Sequence, residues 1–360
     1  MQIGLLLSGG VDSSTALLSL KKSHPDASIS AYYLKIWLED ELAFLGACPW
    51  EEDLNYARAA CDIVKVPLKI ISLQKEYWEH IVSYTLGELK AGRTPSPDIL
   101  CNRLIKFDVF LHRVGESLDR VASGHYAICT QGSDEIYYIR KSPDPVKDQT
   151  YFLSQLTQAQ ASMAMFPIGG MTKSEVRRLA TELDVPAKTR KDSQGICFLG
   201  RVKYRDFVRH YMGEREGKIL EVETGRELGV HRGNWFHTIG QRTGLGLSGG
   251  PWYVVAKSHE ENTVTVTRDV DAEAKAYASF ITGRPNWISG PPPDARVNLK
   301  LRHGPKIVSA TIRQFGSGQK KQLRVDMDEA DRGVAPGQFA VLYHGEVCLG
   351  GAMICERLYT

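Results

Sequence analysis

Ile3-Gly4-Leu5-Leu6-Leu7-Ser8-Gly9-Gly10-Val11-Asp12-Ser13-Ser14 is the stretch from which the rest of the chain is read. Gly4 to Leu7 is a short apolar run of the kind a buried parallel strand presents. Ser8-Gly9-Gly10 follows at once, and Thr15 to Leu20 continues as a helix. Two glycines let backbone amides close over an anion with no side chain in the way. Ser13 and Ser14 add hydroxyls at a helix N-terminus, whose partial positive charge favours phosphate. A Walker loop would end in Gly-Lys-Ser/Thr, and no lysine follows here.

Working outward, residues 1–200 alternate strand and helix patterns. A β-rich run from Ile29 precedes a helix through Leu54, Ala57, Cys61 and Val64. Pro67 to Leu73 reads as the next strand, Tyr77 to Ala91 as a helix, and Val121-Ala122-Ser123 as a strand end leading into Gly124. This order predicts an α/β fold whose open parallel sheet carries helices on both faces and binds its ligand at the C-terminal strand ends. Thr172-Lys173-Ser174-Glu175 is a capping box opening a helix that Pro186 ends. From Gly217 the pattern changes to short alternating runs with Gly, Pro and Asn turns. We therefore expect a catalytic domain over 1–203, a central β-rich domain over 204–280 and a C-terminal β-barrel-like domain over 281–360. Gly244-Leu245-Gly246-Leu247-Ser248-Gly249 satisfies G-x-G-x-x-G, but Gly250-Pro251 follows where a dinucleotide site requires a helix.

The 360 residues exceed one typical core, and no stretch approaches the ~20 apolar residues of a membrane span. The N-terminus enters the first strand directly, leaving no room for a leader. A monomer in the cytoplasm is the expectation, although a processed organellar protein would read the same way. Net charge is +3. Residues 281–360 hold eleven Lys/Arg against seven Asp/Glu, an excess that permits nucleic-acid binding. The seven cysteines are widely spread and no pair has zinc-ribbon spacing, so a disulfide framework is not expected and no close cysteine cluster supports an iron–sulfur site. Cys61, Cys129 and Cys348 read as core.

Two further stretches carry chemistry. In Gly92-Arg93-Thr94-Pro95-Ser96-Pro97-Asp98-Ile99-Leu100-Cys101-Asn102-Arg103, two prolines fix a rigid turn. Cys101 then falls near the start of a helix from Leu104 to Leu118, where the dipole with Arg103 and Lys106 would favour thiolate. Asp98 is placed to act as a base or to cap that helix. In Asp192-Ser193-Gln194-Gly195-Ile196-Cys197-Phe198-Leu199-Gly200, spacing leaves Cys197 open between core and catalysis.

Taken in series, these stretches resemble the tRNA-specific 2-thiouridylases (MnmA/TrmU family). The likeness continues through Lys147-Asp148-Gln149-Thr150-Tyr151-Phe152-Leu153, His237-Thr238-Ile239-Gly240-Gln241-Arg242, Pro336-Gly337-Gln338 and Gly345 to Gly351. The lysine-free loop likewise resembles the pyrophosphate-binding PP-loop of N-type ATP pyrophosphatases. The resemblance implies a PP-loop ATPase domain followed by two smaller, mainly β domains, and an enzyme that replaces O2 of the wobble uridine with sulfur. By the same resemblance Leu6, Leu7, Ser8, Gly9, Gly10, Val11, Asp12, Ser13, Leu34 and Gly124 would contact ATP. Ser96, Pro97 and Asp98 would meet the target base; Lys147, Asp148, Gln149, Arg302 and His303 would bind the tRNA. Cys101 matches the nucleophile and Cys197 the persulfide carrier. Where the family usually has Asn-Pro-Asp this chain has Ser96-Pro97-Asp98; serine keeps a donor and an acceptor on a shorter reach.

The implied chemistry needs ATP and Mg²⁺, with persulfide sulfur from a sulfur-relay protein or cysteine desulfurase. Adenylation turns a poor leaving oxygen into AMP, sulfur attacks C2, and a Cys101–Cys197 disulfide remains for a reductant. Two rivals are a PP-loop AMP-forming amidotransferase or amide ligase, and a non-catalytic RNA-binding protein. The first needs ammonia rather than two remote cysteines, and the second would have no use for Asp12, Cys101 and Cys197 together.

Overall fold

The computed structural model describes residues 1–36, 50–114, 117–192, 203–269, 277–331 and 333–358. The first segment forms the expected strand β1 (Gln2–Leu6) and helix α1 (Val11–Ser23), joined by the glycine turn. β2 (Ser28–Lys35), α2 (Trp50–Val64) and β3 (Leu68–Ser72) follow. Two long helical segments come next: α3 (residues 74–90), then α4 (residues 97–114), which leads to β4 (Arg120–Ser123). Within α4 the hydrogen bonds from Cys101 to Val109 widen to the i→i+5 pattern. After the strands β5 (Ala127–Gln131) and β6 (Tyr137–Lys141) come α5 (Thr150–Leu153), α6 (Gln158–Met163), β7 (Ala164–Met165) and α7 (Lys173–Glu182).

The first sheet has the order β3-β2-β1-β4-β7, every pairing parallel. β1 is buried on both faces because its residues alternate between two cores. Ile3, Leu5 and Leu7 join α1, α2 and α7 through Leu17, Ala57 and Val176, whereas Leu6 faces the core of Tyr77, Ile105 and Phe110 on α3 and α4. Chain order reverses between β1 and β4, so the C-terminal ends of these two strands flank the crevice where such sheets bind ligands. The capping box at Thr172 forms as read, with Thr172 and Glu175 exchanging side-chain and backbone hydrogen bonds.

Helix α8 (Tyr204–Met212) leads into four strands, β8 (Gly217–Glu221), β9 (Glu227–His231), β10 (Tyr253–Ser258) and β11 (Thr263–Thr267), in the order β10-β11-β8-β9. The G-x-G-x-x-G stretch lies in the bends before β10 and starts no helix. The remaining strands are β12 (Tyr277–Thr282), β13 (Asn286–Trp287), β14 (Arg296–Lys300), β15 (Val308–Phe315), β16 (Gln322–Asp331), β17 (Phe339–His344) and β18 (Val347–Leu358). β12 pairs with both β16 and β18, closing β12-β16-β15-β14-β17-β18 into a barrel. No helix among the described residues is long and apolar enough to cross a membrane.

The sequence pattern did not disclose the partner of the hairpin β5–β6. It leaves the parallel sheet and pairs with the barrel, setting Arg140 and Ile139 against Val347 and Cys348. Just beyond it, Asp148 and Lys300 form an ion pair 2.7 Å long with both side chains almost wholly buried. Asp148 also accepts from the Thr150 hydroxyl at 2.9 Å, and Thr150 in turn meets Tyr343 at 3.1 Å. Removing one member of a buried pair strands the other. Lys300→Met should therefore cost about 3 kcal/mol, measured as a lower thermal or urea midpoint, and Asp148→Asn in the same chain should recover part of that loss.

Candidate active site

The loop after β1 is organised by its own hydroxyls. Ser8 and Ser13 lie Oγ to Oγ at 3.1 Å, the Ser8 amide donates to Ser13 Oγ at 3.2 Å, and Ser13 Oγ donates to the Gly10 carbonyl at 3.2 Å. Gly10 is the N-cap of α1 and Gly9 adopts φ 75°, a conformation that favours glycine. Ser14, read as a second hydroxyl donor, is instead wholly buried. Gly124 ends β4 against the same helix; a Cβ there would stand 2.8 Å from the Ser13 nitrogen. Leu34 closes β2 beside them, since β2 pairs with β1. The structure thus brings Leu6 to Ser13, Leu34 and Gly124 to one edge of the sheet.

Side chains from far along the sequence complete this edge. Asp12 accepts hydrogen bonds from the Tyr126 hydroxyl at 2.8 Å and from Lys173 Nζ at 2.7 and 2.9 Å. Lys173 also reaches Asp192 at 2.8 Å, which Lys147 and Arg177 contact at 2.7 and 2.6 Å. Burial pushes the Asp192 carboxyl upward, but the lysine hydrogen bonds outweigh it and hold the group well below the usual range. Arg190 clamps the loop, donating to the Gly9 carbonyl at 3.1 Å and to Asp53 at 2.7 Å. Lys173, Tyr126 and Arg190 escaped the sequence reading as site residues; Lys173 was seen only as part of a capping box.

A second feature is a cleft of about 410 Å³ in which three parts of the chain meet. Arg93 to Ile99, Tyr151 and Phe152 line one side; Trp235 to Thr238 and Lys257 another; Arg302, His303 and Gln338 a third. The wall is held by contacts between these parts. The Thr94 amide donates to the Pro336 carbonyl at 2.9 Å, and Phe152 stacks on His303 with centroids 4.8 Å apart. Arg93 is fixed by two hydrogen bonds to Glu88, at 2.7 and 2.5 Å. Lys257 donates to the His237 carbonyl at 2.9 Å, and burial pulls its pKa down to about 8. Ser96, Pro97, Asp98, Arg302 and His303 therefore line one cleft.

Three expectations change. The helix that carries Cys101 starts at Pro97, where proline suits the first helical position, and not at Leu104. Cys101 lies in its second turn and is only 1% exposed, so the charge at the helix end, which fades within a turn, does not act on it as supposed. Asp98 is in the first turn of that helix, one turn ahead of the thiol. Asp148, which the resemblance assigned to tRNA, is turned inward to Lys300, and the half-buried Gln149 side chain accepts the Tyr126 amide at 3.0 Å. Lys147 is half-exposed on Asp192. Cys197 and Cys48 lie outside the described residues.

Three family profiles cover most of the chain. Those described as tRNA methyl transferase HUP domain and tRNA methyl transferase PRC-barrel domain match residues 1–201 and 205–268, and an aminomethyltransferase beta-barrel domain profile matches 277–354. The tRNA-specific 2-thiouridylase MnmA of Parabacteroides distasonis is 43% identical, covering 99% of both chains. That of Porphyromonas gingivalis is 41% identical with the same coverage. The chain belongs to the tRNA-specific 2-thiouridylase family. A solved structure, the U34-tRNA thiolase NcsA from Methanococcus maripaludis with its [4Fe-4S] cluster, is similar over 59% of this chain and 66% of its own. Its identity to this chain is 15% and the TM-score is 0.35. His237 lines the cleft.

Burial, then the charges of His231, Arg205 and Lys257, lower the His237 pKa to about 4. An unfolded chain takes up this proton near pH 6.5, a folded one only near 4. The stability gained by keeping the ring neutral is therefore complete above pH 6.5 and lost as pH falls toward 4. Thermal midpoints measured from pH 7 to 4 should drop less steeply for His237→Asn than for the unsubstituted protein.

Proposed function

We propose that this protein thiolates the wobble uridine of tRNA at C2, using ATP to activate O2 and a persulfide on Cys197 to supply sulfur. The observation that carries this reading is the meeting of Ser96-Pro97-Asp98 with Arg302-His303 in one cleft, with Cys101 one helical turn behind, in a chain whose first loop suits pyrophosphate. The words methyl transferase in two of the family descriptions do not fit that loop, because methyl transfer needs no cradle for departing pyrophosphate.

A wobble base must leave the anticodon stack to be reached. The cleft offers aromatic faces at Phe152, Trp235 and Phe236 and polar groups at Ser96 and Asp98. Arg302, whose side chain is half-exposed, meets the backbone. Asp98 takes up or reads the N3 proton. O2 of the uridine forms a bond to the α-phosphorus, and pyrophosphate leaves with the bridging electron pair. The outer sulfur of the Cys197 persulfide then bonds to C2, and AMP leaves. Cys101 thiolate attacks the Cys197 sulfur, the persulfide bond breaks, and its electrons remain on the sulfur that is now part of 2-thiouridine. The resulting disulfide is reduced by an external thiol, and a sulfur-relay protein or cysteine desulfurase reloads Cys197.

Magnesium fits as a partner of the nucleotide. Mg²⁺ takes one or two carboxylates plus phosphate oxygens and water. Asp12 is the loop carboxylate, and among the described residues no three His, Cys, Asp or Glu side chains are grouped for a metal. The ion would neutralise charge on the departing pyrophosphate.

Incubation with tRNA, ATP and a persulfide donor, followed by nucleoside mass spectrometry, should yield 2-thiouridine. Cys101→Ser and Cys197→Ser should each fall to about a thousandth of that turnover or lower, while tRNA binding survives. Labelled sulfur should remain on Cys101→Ser as reducible persulfide and be absent from Cys197→Ser. Retained thiolation by both variants would rule out the two-cysteine route.

A further inference from the structure

A phosphate loop built from backbone amides leaves most of a triphosphate's charge unanswered, and a Walker loop adds a lysine of its own. Ser8 to Ser14 contains none. A lysine nevertheless stands at the loop. Lys173, the first residue of α7, places Nζ within 2.7 and 2.9 Å of the two Asp12 oxygens, and its side chain is 15% exposed. Its base is fixed: the Lys173 amide donates to Asp144 at 2.9 Å, and the capping box sets the first turn of the helix. Its tip is less committed. Asp12 keeps the Tyr126 hydroxyl at 2.8 Å if the ammonium moves, and Asp192 keeps Lys147 and Arg177. The two nearby arginines have structural posts. Arg190 holds the Gly9 carbonyl and Asp53, and Arg177 the carbonyls of Lys188 and Arg190.

We propose that Lys173 is the phosphate-binding lysine of this site, exchanging Asp12 for the outer phosphoryl oxygens when ATP binds and following pyrophosphate as it departs. The proposal rests on the nucleotide reading above. Uridine O2 bonds to the α-phosphorus, the α–β bridging bond breaks, and the electron pair goes to pyrophosphate, whose added charge meets the ammonium. Asp12, still held by Tyr126, is left as the carboxylate for magnesium. A loop lysine is thus supplied from a helix that begins 161 residues after Asp12.

Calorimetric titration of the full-length protein with inorganic pyrophosphate, ATP and adenosine, all with Mg²⁺, tests this. Lys173→Met should weaken pyrophosphate and ATP by roughly tenfold to a hundredfold, as for loss of a charge-assisted hydrogen bond, and leave adenosine unchanged. Lys173→Arg, which keeps the charge, should recover most of the affinity. If the lysine merely holds Asp12, Lys173→Met has no further effect in an Asp12→Asn background; a further loss there supports phosphate contact, and none overturns it. Pyrophosphate binding that survives Lys173→Met overturns the proposal alone. A wild-type protein that binds neither pyrophosphate nor ATP overturns the nucleotide reading and this proposal with it.

Discussion

Two opposite charges removed from water need each other closely, because desolvation costs several kcal/mol per ion. Asp148 and Lys300 meet that condition at 2.7 Å. Much of the cleft hangs on this pair. Lys300 ends β14, so Arg302 and His303, just past Leu301, leave the barrel at a fixed place. On the other side Asp148 precedes Tyr151 and Phe152; the Tyr151 hydroxyl donates to the carbonyls of Leu301 and Phe339, and Phe152 stacks on His303. A contact with no surface of its own therefore aligns two lining segments whose paired residues stand 152 positions apart in the sequence.

The parts of the fold set by local rules were legible. An apolar strand, a glycine turn and a helix follow one another within two dozen residues, and each signal agrees with the next. The capping box at Thr172 is likewise local. What failed to show was long-range. The hairpin β5–β6 and the sheet that receives it were not read from the sequence, since strand pairing is decided by partners far away. Asp148 was assigned to tRNA by resemblance, and nothing near it in sequence announces that Lys300 lies against it. Cys101 was misplaced by one turn because Pro97 was taken for a turn residue when it is the start of the helix.

The nucleotide edge shows the same division. Its loop comes from the consecutive residues Leu6 to Ser13, whereas its charge comes from Lys173, Arg190 and, through Asp192, Lys147 and Arg177. Asp192 is the last described residue before the segment holding Cys197, and it is bound by three cations. A sequence motif names the cradle but leaves unnamed the residues that set its potential.

The pairing of β6 with β18 also bears on how the molecule is made and divided. A ribosome releases the hairpin about two hundred residues before its partner strand, so one edge of β6 must wait through the synthesis of everything between. During that interval the edge is open to wrong partners unless a chaperone or a transient neighbour covers it. For the same reason the barrel is not a detachable module. A chain cut before β12 loses the neighbour of its own hairpin and the cation of Asp148, and its behaviour would report that damage rather than the barrel's share of the work.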